Sequence, residues 1–177
     1  MRIAKLEKNS VANGPGLRCV LWAQGCSIQC PGCHNQSTWD FYKGDIFNTR
    51  HVQEICEELE KDYISGITFS GGHPLEPESI WECSALARYI KQKYPNKTIW
   101  LYTGLTLCYE DIVNAKMWGG PLIGKVYSDL LMNCDVIVDG PYIESERDLT
   151  LKFRGSRNQR LIDVKETLKQ SKIVTLE

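Results

Sequence analysis

Short apolar or alternating runs take turns with helical stripes along this chain. Leu17 to Gln24 alternates, with Cys19, Leu21 and Ala23 on one face and Arg18, Val20, Trp22 and Gln24 on the other, which predicts a strand. Gly66 to Ser70, the β-branched and aromatic run Thr98 to Thr103, and Asp135 to Asp139 predict three more. Glycine follows each of them, at Gly71-Gly72, Gly104 and Gly140-Pro141. Between these strands, Val52, Ile55, Cys56, Leu59 and Tyr63 share one helical face behind an N-cap at Asn48 or Thr49. A second stripe, Ile80, Cys83, Ala87, Ile90 and Tyr94, stops at Pro95. Tyr109 to Asn133 reads as helical pieces broken at Gly119-Gly120-Pro121.

Strands alternating with helices predict an α/β fold with a mostly parallel sheet and right-handed crossovers. A closed eight-stranded barrel needs about 250 residues, so 177 residues hold a small partial, open β/α barrel or a small open sheet. No repeat, low-complexity tract or linker interrupts the chain, and we read residues 1–177 as one domain. In either architecture the site belongs at the carboxyl ends of the strands. Those ends are Gly25-Cys26, Ser70-Gly71-Gly72-His73-Pro74, Thr103-Gly104 and Asp139-Gly140-Pro141.

Charge narrows the function classes. Lys and Arg number 21 against 22 Asp and Glu, a net charge of -1. A nucleic-acid coat or a membrane-surface module needs a strong basic excess. No apolar run approaches the ~20 residues of a membrane span, and Met1 to Lys8 shows no apolar signal core. The cytoplasm is the expected compartment. Eight cysteines are many for a reducing compartment, where disulfides seldom persist.

Three of the eight are grouped. Cys26, Cys30 and Cys33 follow the first predicted strand as C-x3-C-x2-C, on a loop made pliable by Gly25, Pro31 and Gly32. Three thiols on one short loop can hold an inorganic centre. A structural zinc site is normally closed by four protein ligands. An iron–sulfur cubane on three cysteines instead leaves one iron open for a substrate. A zinc knuckle with His34 as fourth ligand is the competing arrangement, although His34 adjoins Cys33 and neighbours seldom both reach one tetrahedral ion. Cys56 and Cys83 lie on apolar helical stripes, Cys19 alternates within a strand, and Cys108 and Cys134 flank elements. All five read as core or incidental thiols.

The C-x3-C-x2-C motif resembles the cluster motif of the radical S-adenosylmethionine superfamily. Asn13-Gly14-Pro15-Gly16-Leu17-Arg18 before it and His34-Asn35-Gln36-Ser37-Thr38-Trp39 after it resemble the activating enzymes of glycyl-radical proteins. Ser70-Gly71-Gly72-His73-Pro74-Leu75, Trp100 to Gly104, Val138 to Pro141 and Arg154-Gly155-Ser156-Arg157-Asn158-Gln159-Arg160 follow in order. Together they are similar to the branch that serves anaerobic ribonucleoside-triphosphate reductase. The likeness runs from about Asn13 to Asp163. An activase of pyruvate formate-lyase or of another glycyl-radical enzyme is the sibling reading, and a non-catalytic zinc-binding interaction module is the reading from another class.

The resemblance implies a partial barrel of the radical S-adenosylmethionine type. In it, Cys26, Cys30 and Cys33 ligate three irons of a [4Fe-4S] cluster, and S-adenosylmethionine chelates the fourth. A low-potential one-electron donor such as flavodoxin or ferredoxin reduces the sulfonium. The resulting 5'-deoxyadenosyl radical takes a Cα hydrogen from a glycine of the reductase's glycyl-radical subunit. The cofactors supply the chemistry, and no acid–base pair among the side chains is implied. Gly71 and Gly72 match the backbone that approaches the methionine amino group. Gly32, Cys33 and His34 match the segment that meets adenine. His73 stands where the family usually has Glu or Asp; a neutral imidazole still accepts one hydrogen bond, and the alternative is a side chain facing solvent. Thr103 meets the methionine carboxylate or ribose, or is a plain strand-end hydroxyl. His51 reads as surface. Arg147, Lys152, Arg154, Arg157 and Arg160 concentrate positive charge. That stretch reads as a solvated face, a docking surface for the reductase, or a salt bridge fixing the tail over the sheet; the aromatic interleaving of a single-strand binder is missing.

Overall fold

The computed structural model describes residues 1–115 and 120–176. In chain order the described residues form β1 (Arg2–Ser10), β2 (Leu17–Ala23), β3 (Asp45–Ile46), α1 (Thr49–Leu59), β4 (Ile64–Gly71), α2 (Ile80–Lys93) and β5 (Thr98–Tyr102). They continue with α3 (Tyr109–Val113), α4 (Pro121–Asn133), β6 (Val136–Asp139), β7 (Arg160–Asp163), α5 (Val164–Gln170) and β8 (Thr175–Leu176). All the strands join one sheet in the order β3-β1-β2-β4-β5-β6-β7-β8.

The four strands predicted from the pattern are β2, β4, β5 and β6. They are contiguous and mutually parallel. The flanks are antiparallel: β1 pairs with β2 and β3, and β7 with β6 and β8. The sheet is therefore mixed, with a parallel centre. The pattern missed β1 because Lys5, Glu7 and Lys8 break its apolar face and only Ile3 and Ser10 are buried.

Asn48 is the N-cap of α1; its side chain accepts from the Arg50 N–H, and His51 Nδ1 accepts from the Asn48 N–H. His51 thus has a capping role beyond its expected place on the surface. Tyr63 falls beyond the end of α1 and is exposed. Gly120 caps α4 at φ +98°, with Pro121 at the first helical position, where its missing N–H costs nothing. Gly119 of the predicted break lies outside the described residues.

The helices cover one sheet face. Cys19, Leu21, Ile67, Phe69, Ile99, Leu101 and Ile137 meet Ile55, Leu59, Ile80, Ile90, Tyr127 and Leu130 in the main core. The other face has a small cluster, Trp100, Val136, Val138 and Leu161, with Tyr102 and Phe153 against it. Phe153 comes from the β6–β7 connection, its ring edge-on to Trp100 at 5.4 Å, and its carbonyl accepts from the Tyr102 hydroxyl at 2.7 Å.

Arg18 lies wholly buried on this second face. Its Nε donates to Thr68 Oγ1, Nη1 to Thr98 Oγ1, and Nη2 to the Ile67 and Thr98 carbonyls, all at 2.6–2.9 Å. The guanidinium also stands over the Trp100 ring at 5.6 Å. Burial lowers its pKa to about 10, and four oxygens replace the water it gives up.

Candidate metal centre

The cysteine loop is built on the end of β2. The Gly25 N–H donates to Thr38 O at 2.8 Å, and the Cys26 N–H to Trp39 O at 3.2 Å. Gly25 has φ +102°, and a Cβ there would run into the Phe41 ring. The Cys33 N–H closes a turn onto Cys30 O at 3.1 Å, with Gly32 at φ +78° between them. Cys26 is 8% exposed, Cys30 and Cys33 are half-buried, and all three are free thiols. Burial raises the Cys26 pKa; the Gln29 and Ile28 N–H groups partly offset that, and the Glu76 charge adds to it.

The three thiols line one cavity of about 460 Å³. Its other walls include Ser70, Gly71, Gly72, His73, Thr103 and Gly104 from the ends of β4 and β5, His34 from the loop, and Gly140 past β6. Every metal- and cofactor-binding position proposed from the sequence except Gly32 lies on this wall. Among the described residues, no three His, Cys, Asp or Glu side chains are drawn together closely enough to hold a single ion. Three free thiols on one cavity are the donor set of an iron–sulfur cluster, whereas a structural zinc ion is normally closed by four protein ligands.

Gly71 has φ +103°, and its Cβ would lie 2.6 Å from Ala23 O. A Cβ on Gly72 would overlap Gly25 O and approach Thr38 O at 2.9 Å. The fold alone therefore requires both glycines: β4 must press against β2 and the root of the cysteine loop. The Gly72 N–H donates to Ala23 O and the His73 N–H to Gly25 O, both at 2.8 Å.

His73 does not face solvent; it is 4% exposed. Its Nε2 is 2.8 Å from Thr103 Oγ1, and its Nδ1 is 3.2 Å from Glu76 Oε1. Glu76 is also buried, and its Oε1 accepts from both the Ser27 N–H and the Ser27 hydroxyl at 2.7 Å. Burial alone would raise the Glu76 pKa, but the hydrogen bonds from His73 and Ser27 outweigh it and leave the carboxyl below its ordinary value. The hydrogen-bonded pair of His73 and Glu76 had no signal in the sequence. Glu76 sits three residues after His73, and only the turn after β4 turns the two side chains together. Thr103 Oγ1 additionally accepts from the Leu105 N–H at 3.2 Å, so it is more than a plain strand-end hydroxyl.

Two further residues had no sequence signal. Tyr142 packs against His34, ring centroids 5.1 Å apart, and its hydroxyl donates to Glu144 Oε2 at 2.7 Å. A Cβ on Gly32 would overlap that Glu144 carboxylate. The β6–β7 connection therefore closes against the cysteine loop at Gly32 and His34.

The basic stretch divides. Arg160 grips the wholly buried Asp139 through Nε and Nη2 and donates to Leu107 O, fixing β7 to the end of β6. Gln159 Oε1 accepts from the Gly155 and Ser156 N–H groups, and Asn158 Nδ2 donates to Pro141 O. The Arg-Gly-Ser-Arg-Asn-Gln segment is thus a folded loop whose own side chains tie it down. Arg157 pairs with Asp148 in the open, Lys152 is exposed, and Arg147 and Arg154 line the cavity.

With this three-thiol loop at the carboxyl edge of the parallel strands, residues 12–162 match the family described as a 4Fe-4S single cluster domain, which makes this an iron–sulfur protein by class. The chain is 42% identical to the anaerobic ribonucleoside-triphosphate reductase-activating protein of Enterobacteria phage T4, over 84% of this chain and 85% of that protein. It is 37% identical to the protein of that name from Vibrio cholerae (84% and 89% covered) and 36% identical to that of Escherichia coli (84% and 90%). The chain belongs to the family of anaerobic ribonucleoside-triphosphate reductase-activating proteins.

Proposed function

We propose that Cys26, Cys30 and Cys33 hold three irons of a [4Fe-4S] cluster, that S-adenosylmethionine occupies the fourth, and that the protein activates the glycyl-radical subunit of an anaerobic ribonucleoside-triphosphate reductase. The observation that supports this best is the convergence of three free thiols and three strand ends on one cavity. When bound, the cluster and S-adenosylmethionine supply one-electron reductive cleavage and hydrogen abstraction from a glycine Cα.

The protein's part is binding, orientation and exclusion of water. The loop from Gly32 to His34 meets adenine, with Tyr142 flanking the His34 ring. The backbone at Gly71 and Gly72 meets the methionine end, and Thr103 offers its hydroxyl from the facing strand. Phe153 and Leu151 add apolar surface to the cavity lining, which disfavours water beside the reacting groups. The open sheet is read as the partial barrel of the superfamily, one domain throughout. No helix among the described residues is long and apolar enough to cross a membrane. The reading places the protein in the cytoplasm beside a donor such as flavodoxin or ferredoxin.

Anaerobic reconstitution, dithionite reduction and assay for 5'-deoxyadenosine test this reading. The expected preparation is brown, bleaches on reduction and makes 5'-deoxyadenosine; an iron-loaded wild type that makes none refutes it. A colourless protein with one bound zinc would point to the interaction module instead.

A further inference from the structure

The proposed function leaves unexplained the groups that hold Thr103: a polar chain of Ser27, Glu76 and His73, of which Glu76 and His73 are buried. It runs from the first cysteine's neighbour to the end of β5, with His73 and Thr103 on the cavity wall. Glu76 Oε1 is its hub, with the Ser27 N–H, the Ser27 hydroxyl and His73 Nδ1 all directed at it. A carboxylate oxygen accepts only, so its three neighbours must all be donors, and His73 Nδ1 bears a proton. In a neutral ring, Nε2 is then an acceptor. The one hydrogen available to it at 2.8 Å is that of the Thr103 hydroxyl.

We infer that Glu76 and His73 are a positioning pair that turns the Thr103 hydroxyl hydrogen away from the cavity, so that Thr103 meets its ligand as a hydrogen-bond acceptor. One lone pair of Oγ1 takes the Leu105 N–H, and the other remains on the cavity side. Such an oxygen suits a donor, the ammonium of the methionine part or a ribose hydroxyl, and repels a carboxylate. The same Glu76 oxygen clamps the Cys26–Ser27 peptide, so one buried carboxylate sets both the thiol loop and the facing hydroxyl. His73, with both nitrogens engaged, makes no direct contact with the ligand. The ligand half of this inference rests on the proposed function; the proton positions do not.

Long-range proton–nitrogen correlation on the histidine-labelled, cluster-free full-length chain reads the ring directly, the His73 signals being those lost in His73→Asn. A neutral ring protonated at Nδ1 is expected. Protonation at Nε2, alone or together with Nδ1, overturns the inference. In the reconstituted protein, Glu76→Ala raises the dissociation constant for S-adenosylmethionine about tenfold per cluster bound, because His73 Nδ1 loses the acceptor that fixes its tautomer. Thr103→Val weakens binding by a similar factor. A wild type that neither binds nor cleaves S-adenosylmethionine refutes the activating-enzyme reading. A wild type that binds it, with Glu76→Ala binding equally well, refutes the positioning role alone.

Discussion

Adding one methyl group at Gly72 tests whether this glycine is demanded by the fold. A Cβ there overlaps Gly25 O and lies 2.8 Å from Gly25 C and 2.9 Å from Thr38 O, all backbone atoms with no rotamer to move. Forcing extra volume into packed structure costs about 1–3 kcal/mol. The shift needed would also disturb one of three neighbouring 2.8 Å hydrogen bonds, Gly25 N–H to Thr38 O, Gly72 N–H to Ala23 O or His73 N–H to Gly25 O. A lost backbone bond adds about 1 kcal/mol. Gly72→Ala is therefore expected to lose about 2–4 kcal/mol, a fall of roughly 5–15 °C in melting temperature for a chain of this size. Gly104→Ala is the internal control. Its Cβ would meet the end of the Ile28 side chain, Cδ1 at 2.8 Å, which can rotate aside. That change should cost under about 1 kcal/mol. Thermal unfolding of the cluster-free chain by circular dichroism measures both. A Gly72→Ala melting point within about 2 °C of wild type, or a Gly104→Ala loss as large, would refute the reasoning and return Gly72 to a purely ligand-driven role.

Alanine at Cys26, Cys30 or Cys33 should bring bound iron to background after reconstitution, whereas alanine at Cys56 or Cys108 should leave iron and 5'-deoxyadenosine yield unchanged. Asp139→Ala should destabilise the fold by about 3 kcal/mol in urea titration, the low end for breaking a buried pair, because Arg160 keeps 34% of its side chain in water. Burial pushes the Cys19 and Cys83 thiols from 9.0 up to about 12. Their folded-state pKa lies above the unfolded one, so stability should be intact below pH 9 and fall as pH rises from there toward 12; a urea midpoint constant across that range contradicts the assignment. Glu76 acts at the opposite end: its folded pKa is depressed, so its contribution holds above pH 4.5 and is lost as pH falls below it.

The parallel centre of the sheet was legible because β2, β4, β5 and β6 bury both faces or one strict alternation, and each ends in glycine. The outer strands were not. β1 is studded with charge, β7 follows an arginine-rich loop, and β3 and β8 are two residues each, too short for any period. The thiol loop was legible from spacing alone. The residues that organise it were not: Arg18 alternates with Val20 and Trp22 as a solvent-facing residue would, yet four oxygens from β4 and β5 receive it. Glu76 and Tyr142 gain their meaning only when the turn after β4 and the β6–β7 connection bring them to His73 and His34.

The two-residue strands β3 and β8 form the outer edges of the sheet, and both are exposed. β3 covers only Arg2 and Ile3 of β1, so the outer edge of β1 runs on beyond it, and there Lys5 and Lys8 blunt it against pairing with another strand. Copies of the chain are thereby discouraged from stacking edge to edge while one sheet face stays thinly covered. On the cavity side, Leu149, 83% exposed, and Arg147 both belong to the lining, so these loop residues can change without disturbing the hydrogen-bonded frame beneath.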